Sequence, residues 1–247
     1  MTFDKNQTVR EIAINNPAAV RVFENFGIDY CCGGRRPLHE ACVRANAPVD
    51  HVMRALDELE VNGTSPGETW TNSSLADLAA HVVRRHHRYV RDESPRIELL
   101  LQKVVNRHGE AHPELGAIQD TFVALSQELF AHMMKEERVL FPFLDAMEAA
   151  ARAGQPAPLG CFASVELPIA RMLADHDDAG ALLAKMRDLS GGYRAPDGSC
   201  PSYRGLYQAL EEFERDLHHH VHLENNILFP RAVEMERSLK ETAHVSR

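Results

Sequence analysis

His132-Met133-Met134-Lys135-Glu136 followed by Val139-Leu140-Phe141-Pro142 returns 88 residues later as His220-Val221-His222-Leu223-Glu224 followed by Ile227-Leu228-Phe229-Pro230. In each copy an imidazole and a carboxylate stand four residues apart, which on a helix puts them on one face, one turn apart. Ile118, Phe122, Leu125, Leu129, His132, Glu136, Val139 and Phe143 step by alternating four and three, as do Leu206, Leu210, Phe213, Leu217, His220, Glu224 and Ile227. The His/Glu pair therefore interrupts a stripe that faces a helix-bundle core. A buried carboxylate is costly unless it is paired or binds a metal. Two such pairs on two similar helices point to one shared cation site.

The rest of the chain sets the frame. With 247 residues there is room for one large domain, or a moderate one and a small one. The composition, 44% hydrophobic and 26% charged, is that of a soluble protein. A net charge of −9 with no basic run argues against nucleic acid or an anionic membrane surface as partner. No signal-like N-terminus and no apolar run of about 18 residues is present, so a cytoplasmic location is expected. Cys31, Cys32, Cys42, Cys161 and Cys200 are odd in number and form no CxxC pairs, as suits free thiols in a reducing compartment.

Turn-forming residues at 61–72 read as a linker. Before it, residues 1–60 form a small helical unit: Thr8-Val9-Arg10-Glu11 has the form of a capping box, and Pro17, Pro37 and Pro48 can each open a helix. After it, residues 73–238 carry four long helical patterns and 239–247 form a tail. The patterns run from Ser74 to about Arg107, with a possible kink at Pro95, then over 114–152, 164–189 and 202–237. Strand signals are nearly absent. The expected fold is all-α: an up-down-up-down four-helix bundle with a helical N-terminal appendage.

The first and third helices supply the rest of the site. On the third, Ile169, Leu173, His176, Gly180 and Leu183 place His176 in the stripe. On the first, the stripe Leu75, Leu78, Ala79, Val82 and Val83 points more nearly at His86, whereas the repeat favours His87, which precedes His176 by 89 residues. The repeat selects His87. An isolated histidine on an apolar stripe is ordinarily a core residue, but six matched positions in a repeated layout reverse that balance. Four imidazoles and two carboxylates exceed one tetrahedral zinc. They suit a pair of metals, each with two histidines, bridged by Glu136, Glu224 and a solvent oxygen; mixed nitrogen and oxygen donors in a helical bundle favour iron. His218, His219 and His222 lie off the stripe and read as solvated or outer-sphere. Glu128, one turn before His132, is a candidate outer partner or proton relay.

These residues resemble the hemerythrin-like di-iron proteins, and more narrowly the repair-of-iron-centres group. Phe26-Gly27-Ile28-Asp29-Tyr30-Cys31-Cys32-Gly33-Gly34 matches that group's N-terminal cysteine domain, while His132 to Glu137 and Leu223 to Arg231 match its bundle, so the likeness spans nearly the whole chain. It implies two non-haem irons, oxo-bridged when oxidised, with His87, His132, His176 and His220 as terminal ligands and Glu136 and Glu224 as bridges. It also implies repair of iron-sulfur clusters damaged by nitric oxide or oxidants, with damaged iron-sulfur proteins and nitric oxide as partners; a homodimer is compatible with it. One departure is Asp175, where the group carries Glu.

Cys31-Cys32-Gly33-Gly34 is the second candidate. Adjacent α-carbons lie about 3.8 Å apart, below the usual disulfide span of about 4.4–6.8 Å. A bridge there would be strained and easily reduced. Two neighbouring thiols near Arg35 and Arg36 suit transient iron binding, nitrosyl acceptance or disulfide exchange, against the plain alternative of ordinary thiols capping a small core. The alternative functions are a di-iron nitric oxide reductase producing nitrous oxide and a reversible NO or O₂ sensor. Reduction needs an external electron donor, since the chain has no flavin or nicotinamide motif.

Overall fold

The computed structural model describes residues 3–61, 70–158 and 160–245. It is all-α: among the described residues the only β feature is an isolated bridge between Thr8 and Pro37. No helix there is long and apolar enough to cross a membrane.

Four short helices make the N-terminal unit: α1 (Val9–Asn15), α2 (Ala19–Asn25), α3 (Leu38–Arg44) and α4 (Val49–Val61). Thr8 caps α1 through a complete capping box with Glu11, as the sequence indicates. Phe23, Tyr30, Leu38, Val52 and Leu56 fill its own small core. Most of the expected 61–72 linker lies outside the described residues.

Four long arms follow. The first is α5 (Leu75–Val82), a π-helical turn Val83–His87 and α6 (Arg88–His108). The second is α7 (Glu114–Lys135), a π turn Glu136–Leu140 and α8 (Phe141–Arg152). The third is α9 (Glu166–Leu189) alone. The fourth is α10 (Pro201–His222), a π turn Leu223–Leu228 and α11 (Phe229–Val245). α5 packs on α8 and α6 on α7, so the first two arms are antiparallel; α10 on α6 makes the first and last antiparallel as well. The last helix runs on through the expected 239–247 tail to Val245.

The π turns were not anticipated, and they change the register. Each inserts one residue, so the buried stripe of the second arm passes from His132 and Glu136 to Leu140, Leu144 and Met147, and Val139 is left 42% exposed. Proline contributes to the opening. Pro142 and Pro230 have no N–H for the α-helical ladder, and one residue earlier the N–H groups of Phe141 and Phe229 bond the carbonyls of Glu136 and Glu224, five residues back. The first arm behaves alike: its stripe resumes after the π turn at His87, Val90, Ile97, Leu101 and Val104. Pro95 sits inside α6.

The core falls into two apolar blocks. One holds Leu101, Ile118, Phe122, Leu125, Leu183, Leu210 and Phe213. The other holds Leu75, Leu78, Leu144, Ile169, Leu228 and Phe229. Between them, where three of the four arms carry their π turns, lies a layer of buried histidine and glutamate.

Candidate metal centre

The six expected ligands meet in that layer. His87, His132, His176 and His220 are at most 2% exposed, and Glu136 and Glu224 are fully buried. Glu136 sends Oε2 to His87 Nε2 and Oε1 to His132 Nε2, both at 3.3 Å. Glu224 sends Oε1 to His220 Nε2 at 3.3 Å and Oε2 to His176 Nε2 at 3.2 Å. The donors thus form two sets that each could hold a metal ion, one of His87, His220, Glu136 and Glu224, the other of His132, His176, Glu136 and Glu224. Both carboxylates belong to both sets, which is what a bridge requires.

The polar atoms of this layer fit a cation. All four carboxylate oxygens, with His87 Nε2 and His220 Nε2, are buried and make no hydrogen bond. Buried polar groups are nearly always satisfied, and an exception calls for an explanation such as an ion. A divalent ion at each set would satisfy them all.

Protonation shows how tightly the layer is coupled. Burial disfavours charge on His132, but the carboxylates of Glu136 and Glu224, aided by Asp175, outweigh it and push His132 up to about 9. Burial and Glu224 push Glu136 up, yet His132 and His87 hold it below the usual range. Glu224 lies well below that range: burial opposes the shift and His220 and His176 produce it. Histidine and carboxylate here hold one another in place until a metal displaces the protons.

Outer partners aim three of the rings. His87 Nδ1 meets Glu137 Oε1 at 2.6 Å, and Arg91 holds that same oxygen at 2.6 Å. His132 Nδ1 meets Asp175 Oδ2 at 3.3 Å, with Lys135 and Arg171 each 2.8 Å from that carboxylate. His176 Nδ1 donates to Asn225 Oδ1 at 2.7 Å. Each bond turns Nε2 toward the carboxylates of the layer, where the Nε2 atoms of His132 and His176 lie 3.0 Å apart and share a hydrogen bond that a metal would replace. His220 differs. Its Nδ1 has no hydrogen-bond partner, and the ring of His86 lies flat over it, centroids 5.5 Å apart and planes 8° apart. His86 is fully buried but outside both ligand sets, and its Nδ1 is 3.0 Å from Asp216.

One expected partner is not brought in. Glu128 is exposed on α7, because the position before Leu129 lies about 100° around the helix from the stripe. Glu137, Asp175 and Asn225 occupy the outer sphere instead. Sequence reasoning missed Glu137 and Asn225, although each directly follows one of the two glutamates shared by both sets. His222 is buried, bonded to Asn226 at 2.9 Å, and pushed down to about 4 by that burial.

The cysteine pair sits beside this layer. Arg10 donates to the Asn226 carbonyl at 2.8 Å, Asn226 donates to the Tyr30 carbonyl at 2.9 Å and Asn225 to the Cys31 carbonyl at 3.4 Å. Asn225 therefore joins His176 to the backbone of Cys31. Cys31 packs in the bundle core, Cys32 is half-buried, and a cavity of about 480 Å³ is lined by both and by His176. All five cysteines are free. Cys31 is held well above the ordinary thiol range, first by its hydrogen bond with Cys32 and then by burial, so its thiol stays protonated.

Residues 78–232 match the family described as Hemerythrin HHE cation binding domain, and residues 5–60 match one described as a Domain of Unknown function (DUF542). The chain is 34% identical over 232 residues to the iron-sulfur cluster repair protein YtfE of Pectobacterium atrosepticum, covering 94% of this chain and 99% of that one. It is 36% identical over 234 residues to the protein of the same name from Edwardsiella ictaluri, covering 94% and 99%. To a probable iron-sulfur cluster repair protein of Haemophilus influenzae it is 32% identical over 228 residues, covering 92% and 96%. With a buried four-histidine, two-glutamate layer and a docked cysteine pair, the chain belongs to the hemerythrin-type family of iron-sulfur cluster repair proteins.

Proposed function

We propose that this protein repairs iron-sulfur clusters damaged by nitrosative or oxidative stress, using two iron ions held in the His/Glu layer and the Cys31–Cys32 pair beside it. The observation that carries the reading is the two ligand sets sharing Glu136 and Glu224, with Cys31 tied through Asn225 to His176. His87 and His220 would hold one iron and His132 and His176 the other, with Glu136 and Glu224 serving both. Bound iron supplies redox change and affinity for nitric oxide. The protein's residues do the rest. Glu137, Asp175 and Asn225 fix the rings, the apolar blocks on either side limit water, and Cys31 and Cys32 meet the damaged cluster or its host protein. The targets are damaged iron-sulfur proteins of the cytoplasm, and an external donor supplies electrons.

The pairing of the two sets also favours a second reading, reduction of two nitric oxide molecules to nitrous oxide at adjacent ions. Metal content per chain, with an optical spectrum before and after anaerobic reduction and nitric oxide addition, tests the centre. Close to two irons, with a ferric band that bleaches on reduction and a new nitrosyl spectrum, is expected; one zinc, or no metal on a folded chain, overturns it. Recovery of an inactivated cluster enzyme by the reduced protein then supports repair, and sustained nitrous oxide production with a reductase supports the second reading. Unchanged recovery with both cysteines replaced by serine would remove their assigned role.

A further inference from the structure

Asp29 is placed in a way that repair by the binuclear centre does not use. Its Oδ1 accepts the backbone N–H groups of Cys31 at 3.1 Å and Cys32 at 2.9 Å, and its Oδ2 accepts that of Gly33 at 2.8 Å. A Cβ at position 33 would lie 2.7 Å from that Oδ2 and 2.6 Å from Arg36 Nη1, so glycine is what lets the carboxylate close over the turn. The carboxylate is fixed against the two thiols. Cys31 Sγ is 3.4 Å from Asp29 Oδ1 and 3.8 Å from Cys32 Sγ.

Those separations match a metal polyhedron. With metal–sulfur bonds of about 2.3 Å, two sulfurs of a tetrahedral site stand about 3.8 Å apart, and a sulfur and a carboxylate oxygen about 3.6 Å apart. We propose that Asp29, Cys31 and Cys32 form a separate mononuclear site for a thiophilic divalent cation of the Fe²⁺ or Zn²⁺ class. Its three donor atoms lie within 4.8 Å of one another, and no fourth histidine, cysteine or carboxylate joins them among the described residues. The fourth corner is left to solvent or to a donor brought by a partner. The same cavity that touches all three residues reaches His176.

Binding exchanges protons for metal. The two thiols become thiolates and release two protons, and Asp29 Oδ1 gives up its S–H hydrogen bond from Cys31 for the ion. Two sulfurs and one oxygen select a softer ion than the nitrogen and oxygen donors of the buried layer. The site would hold an iron leaving or entering a damaged cluster within reach of the binuclear centre. That use rests on the repair reading; the binding itself does not.

The test is an anaerobic titration of the metal-free full-length chain with Co²⁺, whose thiolate complexes show an intense sulfur-to-metal charge-transfer band that nitrogen and oxygen complexes lack. The expected result is such a band saturating at one equivalent beyond those taken by the buried layer. Cys31→Ser with Cys32→Ser should abolish the band and that one equivalent only. Asp29→Asn keeps an oxygen for the N–H groups of Cys31 and Cys32 and loses only the acceptor of the Gly33 N–H, so two of the three bonds of the turn persist, and it should weaken cobalt binding at this site by about 10–100-fold while keeping the band. Wild-type protein without a thiolate band, or a band that survives removal of both cysteines, overturns the site; Asp29→Asn with unchanged affinity overturns the role of Asp29. Glu136→Ala with Glu224→Ala should keep the band while losing the other equivalents, so failure of the buried centre and failure of this site read out separately.

Discussion

Glu236, near the end of the last arm, accepts the backbone N–H of Val165 at 2.9 Å and so closes the first turn of α9. The same carboxylate takes Ser164 Oγ at 2.7 Å and Lys240 at 2.8 Å. Glu148, 88 residues earlier, does the same for the first arm, accepting Leu75 N–H at 3.0 Å and Ala76 N–H at 3.2 Å. The repeat that places the ligands therefore also places a carboxylate cap across each helical hairpin. Helix N-termini carry unpaired N–H groups and favour negative charge.

Glu236→Gln is expected to cost about 1 kcal/mol of stability, the usual worth of a helix cap. Burial raises the Glu236 carboxyl, but Lys240, Ser164 and the Val165 N–H together hold it below the ordinary glutamate range. A depressed folded value means that its contribution is complete above the unfolded value and is lost as pH falls through the folded one. Denaturant unfolding at neutral pH should therefore separate wild type from Glu236→Gln, and the gap should narrow below about pH 4. A gap that persists unchanged in acid would mean that the carboxylate charge is not what stabilises the turn.

Each carboxylate of the buried layer serves both ligand sets, whereas each histidine serves one. Glu136→Ala or Glu224→Ala should accordingly drop metal content toward zero per chain, while His87→Ala or His176→Ala should leave up to one ion. Elemental analysis on matched preparations distinguishes these outcomes. Equal losses for glutamate and histidine variants would contradict the shared-bridge arrangement.

Asn225 offers a separate measurement because it acts in two directions, on His176 at 2.7 Å and on the Cys31 carbonyl at 3.4 Å. Asn225→Ala should weaken metal binding by about 10–100-fold, as loss of an outer partner typically does. It should also raise the alkylation rate of buried Cys31, which the bond helps hold in the bundle core. Asp175→Asn loosens the aim of His132 and the ion pairs with Lys135 and Arg171 but touches no cysteine contact, and should affect metal binding without changing cysteine labelling.

Much of this was legible because helical periodicity is strict wherever the helix is α. His132, Glu136, His176, His220 and Glu224 follow directly from their stripes and lie where those stripes put them. His86 and His87 could not be separated that way, since the first arm's stripe advances at 3.6 residues per turn only as far as Val82. The π turn at Val83–His87 adds a residue, so the α count ends at His86 while the histidine that joins the candidate ligand set is His87. Both rings are buried, so burial does not tell them apart either; the repeat, which points to His87, does. Docking of the N-terminal unit was unreadable for another reason. It depends on Arg10, Tyr30, Asn225 and Asn226, polar residues far apart in the chain with no periodicity to announce them. His86→Phe keeps a flat ring over His220 and is expected to retain full metal content, whereas His87→Phe should not; loss in both would make His86 part of the ligand set.

The π turn of the second arm can be removed by one deletion. Val139 is exposed, and without it the buried positions would read His132, Glu136, Leu140 and Leu144 at an uninterrupted spacing of four, three and four. An ordinary α-helix then satisfies the apolar stripe, with no residue forced outward. Combined with Pro142→Ala, which supplies the N–H that a regular ladder needs, the deletion variant should fold, and its metal-free form should resist denaturant at least as well as wild type, because the i to i−5 turn has been replaced by regular hydrogen bonds. Metal binding should fall by about 10–100-fold, since the turn begins at Glu136 and sets the angle at which that carboxylate meets His87 and His132. Circular dichroism with denaturant reports the first quantity and metal titration the second. A variant that loses stability but keeps its metals would show that the bulge serves packing; the reverse outcome ties it to the centre.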